Sequence, residues 1–229
     1  MTERKSIQAV VFDFDGVIAD TEPLHYQSFC RVVAPDGLAC TWEEYVRDYI
    51  GYDDRDLFRA AYRNASRTLS ESDLRDRVKA KALAFIELTA DGVHAYDGIP
   101  ELIHHVHARY PVALCSGALR SDIDPILGQL GLSHVFQTIV TAEDVEVSKP
   151  DPACYRLAVR RLGEALGRTL VSGDCVAIED TPSGIQAAKA AGLTVWAVAH
   201  THDPESIAQA DQVFDALPEI LDRLGGCEQ

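Results

Sequence analysis

Positive charge is scarce in this chain of 229 residues. It has 21 lysines and arginines against 36 aspartates and glutamates, which gives a net charge of −15. A protein this acidic is repelled by phosphate backbones and by anionic lipid surfaces. We therefore expect no nonspecific binding to nucleic acid and no membrane partner. The net negative charge would also repel an anionic substrate, so cations at the binding site would have to outweigh this repulsion locally.

Long apolar runs and cysteine motifs are missing as well. No stretch reaches the roughly 18 apolar residues of a membrane-spanning helix. No secretory signal is expected either, because Met1 to Lys5 lead directly into an apolar segment. The six cysteines form no CxxC pair or other metal-binding spacing. They are typical of reduced thiols in a cytoplasmic protein, so the cytoplasm is the expected compartment.

Two carboxylates follow an apolar run near the start of the sequence. Asp13 and Asp15 follow Val10-Val11-Phe12. Such a run is typical of a strand inside a parallel sheet, whose carboxyl end is where open α/β sheets bind ligands. Residues two apart in an extended segment point to the same side, so these carboxylates would repel unless a cation or a proton separates them. The pair predicts a metal.

A second acidic pair, Glu179-Asp180, ends another apolar run and precedes the start of a helix. Oxygen ligands of this kind suit Mg²⁺, which is usually held by one or two carboxylates plus substrate phosphate. Between the acidic pairs lie Ser116-Gly117, at the end of a strand-like segment, and Lys149. A hydroxyl with nearby free N–H groups can bind phosphoryl oxygens, and a lysine can neutralise them.

Each feature alone has a simpler explanation. An Asp-x-Asp pair is more often a cap or a turn, and Glu179-Asp180 could merely cap the helix that follows. Ser116 alone could be a turn residue and Lys149 a surface lysine. Only the combination of these features, in this order, indicates a single site that binds a metal and a phosphoryl group.

Taken together, these segments resemble the haloacid dehalogenase superfamily of phosphoryl-transfer enzymes. The matching residues are 13–21, 116–117, 149–150 and 179–184, in the family's order. More narrowly, the chain resembles the beta-phosphoglucomutase and sugar-phosphatase branch, which has a helical cap inserted after the first motif. The resemblance covers nearly the whole chain.

The resemblance implies a role for each matching residue. Asp13 would be the nucleophile that becomes an aspartyl-phosphate, and Asp15 the general acid and base. The phosphoryl group would be held by Ser116, Gly117 and Lys149. The ligands of Mg²⁺ would be Asp13, Asp15 through its carbonyl oxygen, Glu179 and Asp180. Dehalogenase members lack the second aspartate, so Asp15 favours phosphate esters as substrates.

The order of segments predicts an α/β fold with two parts. Residues 17–93 show helical patterns, including a capping box at Thr41 and Glu44, and we expect them to form the α-helical cap domain. Residues 1–16 and 94–229 would form a Rossmann-like core, a doubly wound parallel sheet in a three-layer α/β/α arrangement. Strands are predicted over 112–115, 138–141, 175–178 and 195–199. Helices are predicted over 100–109, 122–130 and 183–191, with another beginning at Asp151-Pro152 and ending near Gly163.

The cap would close over the site and supply substrate contacts. Candidate contacts are Thr21, Glu22, His25 and Arg55 of the cap, with Arg120 of the core. At the cap positions where the resembled mutase binds a second phosphate with basic groups, this chain has Ile50 and Asp54, although Arg55 could substitute. This difference favours a phosphatase over a mutase.

The sequence thus predicts a Mg²⁺-dependent phosphatase of a small organic phosphomonoester, of the sugar phosphate or phosphoglycolate type. A beta-phosphoglucomutase-like mutase is the alternative, and a noncatalytic phosphate-binding protein is a third reading. We expect a monomer or a weak homodimer.

Overall fold

Six parallel strands form the sheet of this protein, whose computed structural model describes residues 7–225. The prediction about Met1 to Lys5 lies outside the described residues. The strands stand in the order β3-β2-β1-β4-β5-β6. Their bounds are β1 Ala9–Phe12, β2 Val112–Cys115, β3 Thr138–Val140, β4 Cys175–Glu179, β5 Thr194–Val198 and β6 Gln212–Phe214.

The central strand, β1, is buried on both faces, as its uninterrupted apolar sequence predicts. Val10 and Phe12 pack into one apolar cluster, whereas Ala9 and Val11 pack into another on the opposite face. Side chains alternate across a strand, so a strand without polar residues needs a helical layer on each side. Both layers are present, and the predicted three-layer α/β/α architecture is confirmed.

The helices of the two layers come from different parts of the chain. One layer contains α5 (Ile99–His107), α6 (Arg120–Gln129) and α9 (Leu217–Gly225), and the other contains α7 (Ala153–Ala165) and α8 (Pro182–Ala190). Short turns of 3₁₀ helix follow β3 and precede β4. This crossing from face to face is the doubly wound pattern of parallel sheets.

Five α-helices lie between β1 and β2, and the first four have an apolar cluster of their own. These four are α1 (Glu22–Val33), α2 (Trp42–Asp48), α3 (Asp54–Asn64) and α4 (Glu71–Thr89). Phe29, Tyr45 and Phe58 are buried at the centre of this cluster. The predicted capping box is present, since Thr41 accepts a hydrogen bond from the Glu44 amide and Glu44 accepts one from Thr41. We call these four helices the cap.

Two chain segments connect the cap with the sheet, and they run side by side. Ala19 forms an antiparallel bridge with Ala95, and the Asp20 amide donates to the His94 carbonyl at 2.9 Å. Val17 and Ile18 pack in the same cluster as Phe12. We therefore propose that any hinge motion of the cap begins after these residues, slightly beyond the predicted domain boundary at residue 17.

Helix α7 ends at Ala165, two residues after Gly163, so its predicted end near Gly163 is confirmed. A Cβ on Gly163 would lie 2.7 Å from the Arg168 carbonyl oxygen, so this glycine permits a close backbone approach. The sequence analysis predicts neither β6 nor α9. Strand β6 has only three residues, one of them an exposed valine, and so carries too little strand signal.

Two further findings concern chain chemistry. Among residues 7–225, no helix is both long and apolar enough to cross a bilayer. The five cysteines within this range are free.

Candidate active site

The predicted catalytic residues meet at the carboxyl edge of the sheet. Asp13 follows β1, Ser116 follows β2, and Glu179 and Asp180 end or follow β4. Because β1 pairs in register with both neighbours, with Phe12 opposite Leu114 and Ile178, these ends are level with one another. Asp13, Ser116, Glu179 and Asp180 are all buried.

Lys149 lies among these acids, although it comes from the loop before α7. Its ammonium donates to Asp13 Oδ1 at 2.8 Å, to Glu179 Oε1 at 2.7 Å and to the Cys115 carbonyl at 3.3 Å. Burial alone would lower the pKa of Lys149, but the charges of Asp13 and Glu179 raise it well above its ordinary value. The ammonium is therefore a permanent positive charge beside Asp13.

Glu179 is hydrogen-bonded through both carboxylate oxygens. Oε1 accepts from Lys149 and from the Tyr155 hydroxyl at 2.7 Å, and Oε2 accepts from the Asp180 amide at 3.0 Å and from the amide and hydroxyl of Thr181 at 3.2 Å. Burial opposes ionisation, yet the charge of Lys149 and these donors hold the pKa of Glu179 below its ordinary value. A Cβ on Gly184 would lie 1.9 Å from Oε1, so only glycine leaves room for this carboxylate.

Asp180 differs from Glu179 because one of its oxygens has no donor. Oδ2 accepts from the Thr201 hydroxyl, whereas Oδ1 is buried and has no hydrogen-bond partner among the described residues. Burial and the charges of Glu179 and Asp13 raise the pKa of Asp180 well above its ordinary value. An unpartnered buried carboxylate oxygen is costly unless a proton or a cation accompanies it.

The same place offers three oxygen ligands for a divalent metal. One carboxylate oxygen from each of Asp13, Glu179 and Asp180 lies within 4.8 Å of the others. Burial and the charge of Glu179 also raise the pKa of Asp13, although Lys149 opposes this. Ionisation of Asp13 and Asp180 is therefore disfavoured when no cation is near them, which is compatible with a bound divalent metal.

Asp15 has a different environment from Asp13, although only one residue separates them. Its carboxylate accepts from the Thr21 hydroxyl at 2.5 Å, from the His25 Nε2 at 3.2 Å and from the Ser116 hydroxyl at 3.2 Å. Burial would raise the pKa of Asp15, but these partners, led by His25, lower it. Its carboxylate lies apart from the metal-ligand cluster and is held by the cap.

The structure brings three of the four cap candidates to the site. Thr21 and His25 bond to Asp15, and Glu22 lines the cavity above Asp13, where it accepts from the Tyr45 hydroxyl at 3.2 Å. Gly117 also lines this cavity.

The two arginines predicted as substrate contacts, Arg55 and Arg120, lie outside the cavity lining. Arg55 bonds to Asp53 Oδ2 at 2.5 Å and to the Val145 carbonyl at 3.2 Å, and Arg120 bonds to Asp124 at 2.6 Å on the exposed face of α6. The cavity lining includes neither residue. Both guanidinium groups are used for protein contacts in this arrangement.

The cap closes the cavity over Asp13 and Asp15 to a volume of about 50 Å³. That volume has room for a few water molecules and is too small for a sugar phosphate. We therefore propose that the cap moves away from the sheet edge when substrate enters.

Sequence reasoning missed three residues that build this site: Lys81, Tyr155 and Thr201. Lys81 had a usable signal, because it lies seven residues after Leu74 and four before Phe85, on the buried face of α4. A charged residue on an apolar helical face is rarely buried without a partner. Tyr155 and Thr201 gave no such signal, since their contacts depend on the folded chain.

A family model described as haloacid dehalogenase-like hydrolase matches residues 10–198. The chain belongs to this family. The matched range contains Asp13, Asp15, Lys149 and Asp180, so the buried acids and the lysine described above lie within it. The sequence-based predictions of the family, of the fold class and of an enzyme are confirmed.

Sequence similarity to characterised proteins covers most of the chain. A phosphorylated carbohydrates phosphatase of Thermotoga maritima is 30% identical over 219 residues, which cover 94% of this chain and 96% of the relative. A fructose-1-phosphate phosphatase of Escherichia coli is 29% identical over 184 residues, or 80% of this chain and 92% of the relative. The crystal structure of CbbY from Rhodobacter sphaeroides in complex with xylulose-(1,5)bisphosphate has a TM-score of 0.80, at 28% identity over 92% of this chain and 94% of that chain.

Proposed function

We propose that this haloacid dehalogenase-like hydrolase is a Mg²⁺-dependent phosphatase of small phosphomonoesters that forms an aspartyl-phosphate on Asp13. The observation that carries the proposal is the contrast between Asp13 and Asp15. Asp13 lies with Lys149 and the unpartnered Asp180 oxygen, whereas Asp15 is held by Thr21 and His25. Two carboxylates in unlike environments can take unlike roles in one reaction.

In the first step, an oxygen of Asp13 attacks phosphorus and the bond to the leaving alcohol oxygen breaks. Asp15 donates a proton to that oxygen, so the alcohol leaves neutral and Asp15 becomes a carboxylate. The negative charge of the bound phosphate favours the protonated form of Asp15 before this transfer. The transfer divides one difficult hydrolysis into two displacements.

In the second step, water attacks the phosphorus of the aspartyl-phosphate. Asp15 accepts a proton from this water, the bond from phosphorus to the Asp13 oxygen breaks, and inorganic phosphate leaves. Throughout, the Lys149 ammonium and the Ser116 hydroxyl bind phosphoryl oxygens. Positioning and charge neutralisation of this kind provide most of the catalysis in phosphoryl transfer.

The metal site would be formed by Asp13, Glu179 and Asp180, with the Asp15 carbonyl oxygen as the further ligand that the family resemblance implies. The all-oxygen donor set and the unpartnered Asp180 oxygen support Mg²⁺. When bound, the metal would supply positive charge to the phosphoryl oxygens.

The decisive experiment measures phosphate release from a panel of phosphomonoesters, with and without Mg²⁺, by wild type and by Asp13→Asn. We expect metal-dependent release by wild type and none by the variant, because an amide is a poor nucleophile. Asp124→Asn, at an exposed site on α6, is the control with the same chemical change. Wild-type activity in Asp13→Asn would overturn the role of Asp13.

The same incubations separate hydrolysis from isomerisation. The products of each sugar phosphate are analysed for inorganic phosphate and for an isomerised sugar phosphate. Isomerised product without phosphate release would identify the mutase alternative. Activity on no ester would favour the noncatalytic alternative. The cytoplasmic location and the monomeric or weakly dimeric state stay predictions from the sequence.

A further inference from the structure

The part of the cavity wall that the cap supplies is rich in carboxyl groups. We call it the cap wall, and its charged residues are Glu22, Asp53, Asp54 and Lys81. Asp53 is neutralised by Arg55. Burial raises the pKa of the Glu22 carboxyl, and Asp54 pairs with the Lys81 ammonium, so the cap wall carries no surplus of positive charge.

The single ammonium of the cap wall is already engaged. Lys81 Nζ lies 2.5 Å from Asp54 Oδ1 and 2.9 Å from His25 Nδ1, and the lysine is almost completely buried. Lys149, on the sheet side of the cavity, is bonded to Asp13 and Glu179. Within the described lining, each lysine therefore has a carboxylate partner, and neither is an uncompensated cation for a second anionic group.

One carboxylate oxygen of the cap wall lacks a donor. Asp54 Oδ2 is buried without a hydrogen-bond partner among residues 7–225, whereas its Oδ1 is bonded to Lys81. A buried acceptor of this kind is stabilised by an incoming hydroxyl or ammonium and destabilised by an incoming anion. Asp122 adds to the negative field, because its carboxyl is buried in the neighbouring part of α6 and interacts with Asp54 and Lys81.

From this wall we infer the class of substrate. Building on the proposed phosphatase activity, we propose that the enzyme selects esters with one phosphate and no second anionic group, whose alcohol part presents hydroxyl or ammonium donors to Asp54. Single-phosphate sugars fit this description. Bisphosphates and phosphoglycolate do not, because each brings a second anion toward Glu22 and Asp54.

The crystal structure of CbbY contains a bisphosphate. In this chain, by contrast, the cap wall has Asp54 paired with the buried Lys81. The phosphate-binding end of the cavity would give no such discrimination, since Lys149 and Ser116 would bind the reacting phosphoryl group, which all these esters have in common. Asp54 is therefore the residue to which we assign the specificity.

The test uses matched pairs of esters as competitors of p-nitrophenyl phosphate hydrolysis. One pair is fructose 1-phosphate and fructose 1,6-bisphosphate, and the other is glycerol 1-phosphate and 2-phosphoglycolate. We expect the single-anion member of each pair to have an inhibition constant at least ~10-fold lower, as an unscreened like-charge contact costs about that much. Glucosamine 6-phosphate against glucose 6-phosphate then distinguishes ammonium from hydroxyl donors.

Two variants locate the effect. Asp54→Asn retains an oxygen for Lys81 but removes the negative charge, and we expect it to reduce the preference for single-anion esters by at least ~3-fold. Asp76→Asn makes the same change at an exposed position of α4 and should leave the preference unchanged.

The outcomes are distinguishable. Equal inhibition by both members of each pair in the wild type would overturn the inference while leaving the phosphatase proposal intact, and so would an unchanged preference in Asp54→Asn. Failure to hydrolyse p-nitrophenyl phosphate and every panel ester would instead overturn the proposed function and the inference with it. If Asp54→Asn does not fold, the wild-type inhibition constants alone decide.

Discussion

Lys81 Nζ lies 2.9 Å from Nδ1 of His25, and this contact fixes the role of each nitrogen of the imidazole ring. An ammonium can only donate, so Nδ1 is the acceptor. The proton is then on Nε2, which donates to Asp15 Oδ1 at 3.2 Å. The ring of His25 also stacks on Phe85, with centroids 4.2 Å apart. A lysine of the cap thereby positions a histidine that orients the predicted acid and base.

Replacing Lys81 tests how much its buried contacts with Asp54 and His25 contribute to the free energy of unfolding. Lys81→Met keeps much of the side-chain volume but leaves Asp54 without its cation, and removing one partner of a buried pair costs about 3–5 kcal/mol. We expect a loss of this order in the free energy of unfolding, measured in urea. Lys79→Met, at an exposed position of the same helix, is the control. Equal stability of the two variants would contradict the network's importance.

Gly16 should be irreplaceable for metal binding. Its φ is +75°, and a Cβ would lie 1.8 Å from Asp180 Oδ2, so alanine must displace a predicted metal ligand. We expect Gly16→Ala to weaken Mg²⁺ binding by at least ~10-fold in calorimetry, as loss of ligand positioning does. Gly37→Ala is the matched control, because φ there is +68° but no atom lies within 4 Å of the added Cβ. Equal metal affinities would contradict this role for Gly16.

Thr201 should act on the metal through Asp180. Its hydroxyl donates to Asp180 Oδ2, which leaves Oδ1 as the oxygen without a partner. Thr201→Val removes this donor with little change of shape and should weaken Mg²⁺ binding by ~10-fold. Thr201→Ser keeps the hydroxyl and should restore the affinity. A serine variant as weak as the valine variant would show that packing, rather than the hydrogen bond, is responsible.

Asp122 should make stability depend on pH. Burial raises the pKa of Asp122 to about 6, with Asp54 and Asp15 opposed by His25 and Lys81. The folded protein therefore holds this proton more tightly than the unfolded chain, so the resulting stability is present at pH 4 and is lost as the pH rises through 6. Asp122→Asn should be more stable than wild type by about 2–3 kcal/mol at pH 8 and little different at pH 4.

Thermal unfolding of both proteins across this range measures the effect. Asn can still accept the Ser121 hydroxyl that lies 3.2 Å from Asp122 Oδ1, so the comparison isolates the charge. A stability difference that is the same at pH 4 and pH 8 would argue against a raised pKa.

The position of the core residues could be predicted because it depends on short-range patterns. Asp13, Ser116 and Glu179 each end an apolar segment, and parallel strands bring such ends to one edge of the sheet. The strand bounds agreed to within one residue for the same reason. The predictions for Arg55 and Arg120 had no comparable basis, since a long flexible side chain chooses among many partners. Arg55 found Asp53 and the Val145 carbonyl.

The sequence by itself determined the α/β core, the helical insertion and the meeting of carboxylates with Lys149, because hydrophobic periodicity and chain order are written in consecutive residues. Only the tertiary structure decided which carboxylate oxygens of Asp54 and Asp180 are left without a donor, and that Lys81 lies between Asp54 and His25. Those properties depend on side chains 21 to 56 positions apart, between Asp180 and Thr201 and between His25 and Lys81. Hydrogen bonds over such separations exist only after the layers and the cap have packed.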